Sequence, residues 1–170
     1  MATIAELLAS SLNALKQVQR GEDFTIIKSS DLSRTHIKRL VDNHFLKPII
    51  KGWYVVTDPR ATPGDSTAWY ASFWSFISRY ANERYGNEWC LSAEQSLSIY
   101  TGATIIPNQV LIRAPKGNDY MVPLIPPTSV FNLGAELPSK IDTNNPYNLN
   151  LYTLAEAIIV ATPTMYRNDA

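Results

Sequence analysis

The sequence predicts an α+β fold in which an N-terminal winged helix-turn-helix is followed by a smaller, mixed α+β domain. Two observations carry this prediction. The first third of the chain has the order helix, short strand, short helix, basic helix and β-hairpin. After a break rich in proline, long helical segments and three strand-like runs follow.

The first element is an amphipathic helix over residues 3–20. Gly21 stands where a glycine C-cap is expected, and residues 24–27 form a short β-type run. The helix is predicted from apolar residues that recur at spacings of three and four: Ile4, Leu7, Leu8, Leu12, Leu15 and Val18.

Two helices are predicted between residues 29 and 43. Ser29, Ser30 and Asp31 offer N-cap oxygens for a helix of one or two turns. A second helix begins at Ser33 or Arg34. Its apolar residues form one buried stripe: Ile37, Leu40 and Val41.

A β-hairpin is predicted to follow the second helix. Residues 49–50 and 53–56 form its strands, and Lys51-Gly52 forms the turn. Pro48 then has to lie at an edge or a bulge, because it has no backbone N–H to donate. The helix-helix-hairpin order is typical of a winged helix-turn-helix, which assigns residues 1–60 to that domain.

The charge distribution points to the same region. The chain has 15 Lys+Arg and 15 Asp+Glu, so its formal net charge is zero. Residues 1–60 hold nine basic and six acidic residues (+3), whereas residues 61–170 hold six and nine (−3). If the chain binds a polyanion such as double-stranded DNA, we expect the first third to do so.

The candidate DNA-contacting residues lie on the second helix and the hairpin. In a winged helix this helix enters the major groove, where basic and hydroxyl side chains contact phosphates and base edges. The alternative is an ordinary solvated helix face. The predicted contacts are Ser33, Arg34, Thr35, His36, Lys38, Arg39, Lys47, Lys51 and Trp53.

Trp53 and Tyr54 are open to two interpretations, stacking on bases or bracing the hairpin. Because neighbouring strand residues face opposite sides, one of the two is expected in the core. His36 and His44 lack a third ligand type beside them, so we expect no metal site. No cofactor is expected either.

Residues 66–170 are predicted to form an α+β domain of unknown role, after a boundary at residues 57–65. Ser66 begins a long helix that ends before Gly86, and Ser92 begins another with the capping-box pattern S-x-x-Q. Strands are expected at residues 109–113, 120–124 and 128–133, a polar loop at 142–150 and a helix at 151–161.

The long helix carries the aromatic run W-Y-A-S-F-W-S-F-I-S-R-Y. Aromatic residues at helical spacing are typical of a core, which we favour over a ligand pocket. A packing surface for another domain or subunit is the third interpretation.

Common catalytic motifs are absent from the sequence. It contains neither a Gly-rich phosphate loop nor G-x-S-x-G nor H-E-x-x-H, and we expect no enzyme. Cys90 is the one cysteine and is expected to be a buried thiol. No apolar run approaches the length of a membrane span, so the cytoplasm is the expected compartment.

Several blocks of the chain resemble a known family. These are S-S-D-L-S-R-T-H, K-G-W-Y-V-V, G-D-S-T-A-W-Y-A-S-F-W, N-E-W-C-L-S-A-E-Q-S-L and L-I-R-A-P-K-G. Together they resemble the N-terminal region of long bacterial Fic-family proteins, and the first part is similar to the winged helix of AbiEi-type antitoxins. The resemblance covers most of the chain.

In that family, this region precedes a domain that transfers AMP from ATP to protein hydroxyls through the motif H-P-F-x-x-G-N-G-R. The motif is absent here, since His36 and His44 are followed by Ile37 and Phe45. The inhibitory pattern [S/T]-x-x-x-E-[G/N] is absent too. The chain is then either a piece of a longer Fic protein, cut short within the second domain, or a free-standing regulatory relative.

Two functions are therefore carried forward. The first is an antitoxin-like, DNA-binding module that regulates transcription. The second is a protein-interaction or autoregulatory module that holds a Fic catalytic domain, a toxin-like protein or a second copy of the chain.

Overall fold

The computed structural model describes residues 3–19, 25–164 and 166. Its helices are α1 Ile4–Gln19, α2 Arg34–Asp42, α3 Thr67–Tyr85, α4 Ala93–Tyr100 and α5 Leu154–Val160. Its strands are β1 Ile26–Lys28, β2 Leu46–Ile50, β3 Trp53–Val56, β4 Cys90–Leu91, β5 Gln109–Ala114, β6 Tyr120–Pro123, β7 Ser129–Gly134, β8 Ile141–Asp142 and β9 Leu151–Tyr152. This mixture of helices and largely antiparallel sheets confirms the α+β class.

The chain forms two compact units, Met1–Phe73 and Trp74–Ala170. The division falls inside α3, so residues 66–73 belong to the first unit rather than to the second. Residues 57–65 form no helix or strand. Because the second unit is the longer one, the expectation of a smaller second domain is wrong.

The first unit packs two helices on a three-stranded antiparallel sheet of order β1-β3-β2. Its core takes Leu15 from α1, Leu40 from α2, Ile27 from β1 and Leu46 from β2. Each of these side chains is at most 4% exposed. The apolar spacing in the sequence therefore predicted the buried face of α2 correctly, and that of α1 except at Ile4, which is 87% exposed.

The short helix expected from Ser29 is wrong, because the structure has a turn there. Asp31 closes this turn in both directions: its backbone N–H donates to the Lys28 carbonyl (3.0 Å) and its carboxylate accepts from the Lys28 N–H (2.8 Å). Only five residues separate β1 from α2, so a helix would leave too little chain to enter α2. The side-chain bonds of Asp31 favour a turn instead.

Two of the predicted terminal features lie outside the described residues. These are the C-cap at Gly21 and the start of the β-run at Phe24. The described part of the first helix ends at Gln19, and the strand begins at Ile26.

The second unit is built on a four-stranded sheet of order β4-β5-β7-β6. β5 and β7 are parallel, and the other neighbours are antiparallel. Most aromatic side chains of α3 are buried, with Phe76 of this unit and Phe73 of the first unit fully inaccessible, which confirms the core interpretation for them. Tyr70 is the exception, at 36% exposed. Gly86 ends α3 with φ +61°, as its position predicted.

The N-terminus of α4 differs in detail from the prediction. Ser92 caps α4 by accepting from the Gln95 N–H (3.2 Å), but the Gln95 side chain does not complete a capping box. Its amide instead bridges β5, donating to the Gln109 carbonyl (2.9 Å) and accepting from the Leu111 N–H (3.0 Å).

The helix predicted to begin at Leu151 begins three residues later. Leu151 belongs to β9, which pairs with β8, and Thr153 is the N-cap of α5. Asp142, the first residue of the predicted polar loop, belongs to β8 instead. Two buried residues in a row, Leu151 and Tyr152, fit the sequence pattern of a helix as well as that of a strand. Only the pairing with β8 shows that they form a strand.

Candidate nucleic-acid interface

The orientation of α2 is set by its cap and its buried face. The Ser33 hydroxyl accepts from the His36 N–H at 3.3 Å, so Ser33 is the N-cap and Arg34 the first helical residue. Ile37 and Leu40 are buried in the core of the first unit. The opposite face of α2 is therefore turned away from that core.

The charged residues of α2 are distributed over that outer face. Ser33, Arg34, Thr35 and Lys38 are exposed, and Arg39 is half-buried. The prediction that this face points away from the core is confirmed for the four exposed residues, whereas Arg39 is only partly accessible.

The β2–β3 hairpin follows α2 and carries two further lysines. Its two-residue turn is Lys51-Gly52, with Gly52 at φ +83°, a conformation that glycine adopts without strain. Pro48 lies on the edge strand β2 beside a register shift, as predicted. Lys47 and Lys51 are both exposed.

Six cations on α2, on the hairpin and just after it differ in whether a carboxylate already pairs with them. Lys38 pairs with Asp42 at 2.6 Å, one helical turn along α2. Arg60 pairs with Asp58 at 3.2 Å, and its hydrogen bonds lower the pKa of that carboxyl group. Within the described residues, no salt bridge is formed by the other four: Arg34, Arg39, Lys47 and Lys51.

Two predicted contact residues are engaged inside the unit. The His36 Nδ1 atom lies 2.9 Å from the hydroxyl of buried Ser11 on α1. Trp53 is 7% exposed, and Lys28 Nζ lies 5.2 Å from the centre of its ring. Trp53 is thus the core member of the Trp53–Tyr54 pair, which favours the bracing role.

The structure also brings two of the predicted contact residues, Arg34 and Lys51, together with residues that were not predicted to contact DNA. A cleft of about 340 Å³ lies between the start of α2 and the hairpin turn. Its lining residues are Ser29, Arg34, Ile37, Lys51, Gly52 and Tyr54. The sequence gives no spacing signal for this cleft, because its walls come from three separate segments.

The described residues offer no clustered metal ligands. None of their His, Cys, Asp and Glu side chains form a group of three or more that could hold a metal ion. Among the same residues, none of the helices has the length and apolar character required to cross a membrane.

Comparison with protein families, with curated proteins and with solved structures finds no match to this chain. The functional argument therefore depends on the residues of the candidate interface themselves.

Proposed function

We propose that the first unit is a winged helix in which a turn replaces the short helix before α2, and that it binds duplex DNA. In this proposal α2 is the recognition helix and the β2–β3 hairpin is the wing. The observation that carries it is the set of four cations on these two elements that have no carboxylate partner in the described structure: Arg34, Arg39, Lys47 and Lys51. Unpaired cations release counterions from DNA without first breaking a salt bridge.

The paired lysine of α2 has a smaller role in this proposal. Lys38 is held by Asp42 at 2.6 Å, so a phosphate has to compete with an adjacent carboxylate. We therefore expect the Lys38→Ala/Asp42→Asn variant, which removes the whole pair, to bind DNA nearly as well as the wild type. Exposed hydroxyls at Ser33 and Thr35 supplement the phosphate contacts.

Fluorescence anisotropy with a labelled duplex at several salt concentrations tests this function. Three or four phosphate contacts predict a slope of log K against log[salt] of about −2.7 to −3.6. Affinity then falls about 40- to 150-fold between about 50 and about 200 mM salt. The variant with Arg34, Arg39, Lys47 and Lys51 all changed to Ala is expected to lose binding.

A matched control removes four cations elsewhere: Lys16, Arg60, Lys116 and Lys140. It has the same net charge as the interface variant, and we expect it to keep nearly all of the affinity. Equal binding by the wild type and the interface variant would remove the case for DNA binding. The antitoxin-like regulatory role, in a Fic-type context, is proposed from the sequence resemblance.

Protein binding by the second unit is a second candidate function, favoured by a separate observation. The short helix α5 exposes several large apolar side chains, with Ile159 82% accessible. Leu154, Ile158 and Val160 are 50–51% exposed on the same helix. Large apolar side chains exposed together are typical of a binding surface. In this proposal α5 binds a Fic-type catalytic domain.

Sedimentation velocity tests this second function. The chain is run alone over a range of concentrations and then with a purified Fic catalytic domain. We expect a complex with that domain that the Ile158→Lys/Ile159→Lys variant does not form. A chain that stays monomeric and binds no such domain would exclude this role for α5.

A further inference from the structure

We propose that the cleft between α2 and the hairpin turn holds a single phosphate group of the DNA backbone, which Arg34 and Lys51 share. This inference deepens the proposed function and rests on it. Arg34 reaches the cleft from the first position of α2, and Lys51 from the turn of the hairpin. The two cations therefore converge on one space, although 16 sequence positions separate them.

The cleft is a built feature of the first unit. The Ser29 backbone N–H donates to the Gly52 carbonyl at 2.9 Å, which ties the hairpin turn to the turn before α2. Gly52 keeps the space open: a Cβ atom there would lie 3.2 Å from the Ser29 hydroxyl oxygen. The φ of +83° also disfavours any residue with a Cβ at this position.

The chemistry of the lining suits an oxyanion. Two of the lining residues are cations, Ser29 and Tyr54 carry hydroxyl groups, and none of the six is acidic. Two positive charges beside one cleft repel each other. An anion bound between them is attracted by both, so the net electrostatic energy becomes favourable. Guanidinium and ammonium groups both donate charge-assisted hydrogen bonds to phosphate oxygens.

One phosphate shared by two cations predicts how the salt dependence of DNA binding changes when those cations are removed. If Arg34 and Lys51 neutralise one phosphate, removing both lowers the slope of log K against log[salt] by about 0.9. Either single substitution lowers it by less, because the other cation remains at the phosphate. If each cation contacts its own phosphate, the double substitution lowers the slope by about 1.8.

The experiment compares two double variants of equal charge by anisotropy with labelled duplex. Arg34→Ala/Lys51→Ala removes the cations of the cleft, whereas Arg39→Ala/Lys47→Ala removes two that do not line it. We expect slope losses of about 0.9 and about 1.8, respectively. Equal losses in the two variants, or no loss in the first, would overturn the shared phosphate.

A second titration separates this inference from the proposed function. Inorganic phosphate is added to the 170-residue chain, and the backbone amide signals of Ser29 and Gly52 are followed by NMR. We expect saturable shifts in the wild type that Arg34→Ala/Lys51→Ala abolishes. Such shifts in a chain that binds no duplex would support the anion site and refute DNA binding. Unmoved signals in a chain that does bind duplex would refute the cleft alone.

Discussion

Changing Gly117 to alanine is expected to lower the free energy of unfolding by about 3 kcal/mol or more. Gly117 lies in the connection from β5 to β6, directly against the backbone of β7. A Cβ atom there would stand 2.3 Å from the Leu133 carbonyl oxygen and 2.6 Å from the Gly134 nitrogen. These atoms belong to an inner strand of the sheet, so relieving the clash requires β7 or the connection to shift.

Gly86→Ala is the matched control for this prediction. Gly86 has φ +61°, but a Cβ atom there meets nothing within 4 Å. We therefore expect only backbone strain, which costs about 1–2 kcal/mol. Urea denaturation of both variants measures the difference, and a Gly117→Ala loss no larger than that of Gly86→Ala would contradict the close approach.

Cys90 provides a local readout for the same comparison. It is the only cysteine of the chain, it is fully buried in the second unit, and burial raises the pKa of its thiol to about 12. At neutral pH the folded thiol is both inaccessible and protonated, so a thiol reagent reports opening of this unit. The rate of Cys90 modification is expected to rise much more in Gly117→Ala than in Gly86→Ala.

Changing Asn132 to leucine is expected to lower the free energy of unfolding by about 2–4 kcal/mol, because the buried hydroxyls of Tyr80 and Tyr85 lose their hydrogen bonds to Asn132 and Tyr85 keeps only the bond from Arg84. Asn132 is fully buried on β7. Its Oδ1 atom accepts from the Tyr85 hydroxyl at 2.9 Å, and its Nδ2 atom donates to the Tyr80 hydroxyl at 3.2 Å. Burial raises the pKa of Tyr80 to about 12, so this phenol stays neutral at physiological pH.

A second substitution distinguishes the lost hydrogen bonds from lost packing. Tyr80→Phe in the Asn132→Leu background removes the stranded hydroxyl, and we expect it to recover part of the loss. The same Tyr80→Phe change in the wild type is expected to destabilise the protein. Asn118→Leu, at an exposed position between β5 and β6, is the control for a general effect of replacing asparagine. If Tyr80→Phe had the same effect in both backgrounds, the hydroxyl pair would carry no coupling energy.

Local chemistry explains which elements were predictable. α2 forms where its local signals predict it. These signals, the N-cap hydroxyl of Ser33 and the apolar stripe through Leu40, lie within ten residues of each other in the sequence. The Lys51-Gly52 turn is equally local, since it needs a glycine at positive φ. Exposure of the basic face of α2 followed from the same periodicity.

Pairing between distant residues could not be predicted in the same way. No local pattern indicates that β5 and β7 are parallel neighbours, since β6 lies between them in sequence. The turn at Asp31 had the composition of a helix start, and the short distance to α2 decided otherwise. Trp53 and Tyr54 fit the strand equally well, and only packing of the sheet made Trp53 the buried member.

By itself the sequence determined the class of fold, the basic helix, the hairpin and the confinement of excess positive charge to residues 1–60, because periodicity, capping and composition are local properties. Only the tertiary structure decided which cations are free. Lys38 is neutralised by Asp42, while Arg34 and Lys51 are brought to one cleft by a turn, a helix and a hairpin that meet in space. Ion pairing and concavity depend on distances between side chains, and the fold alone sets those distances.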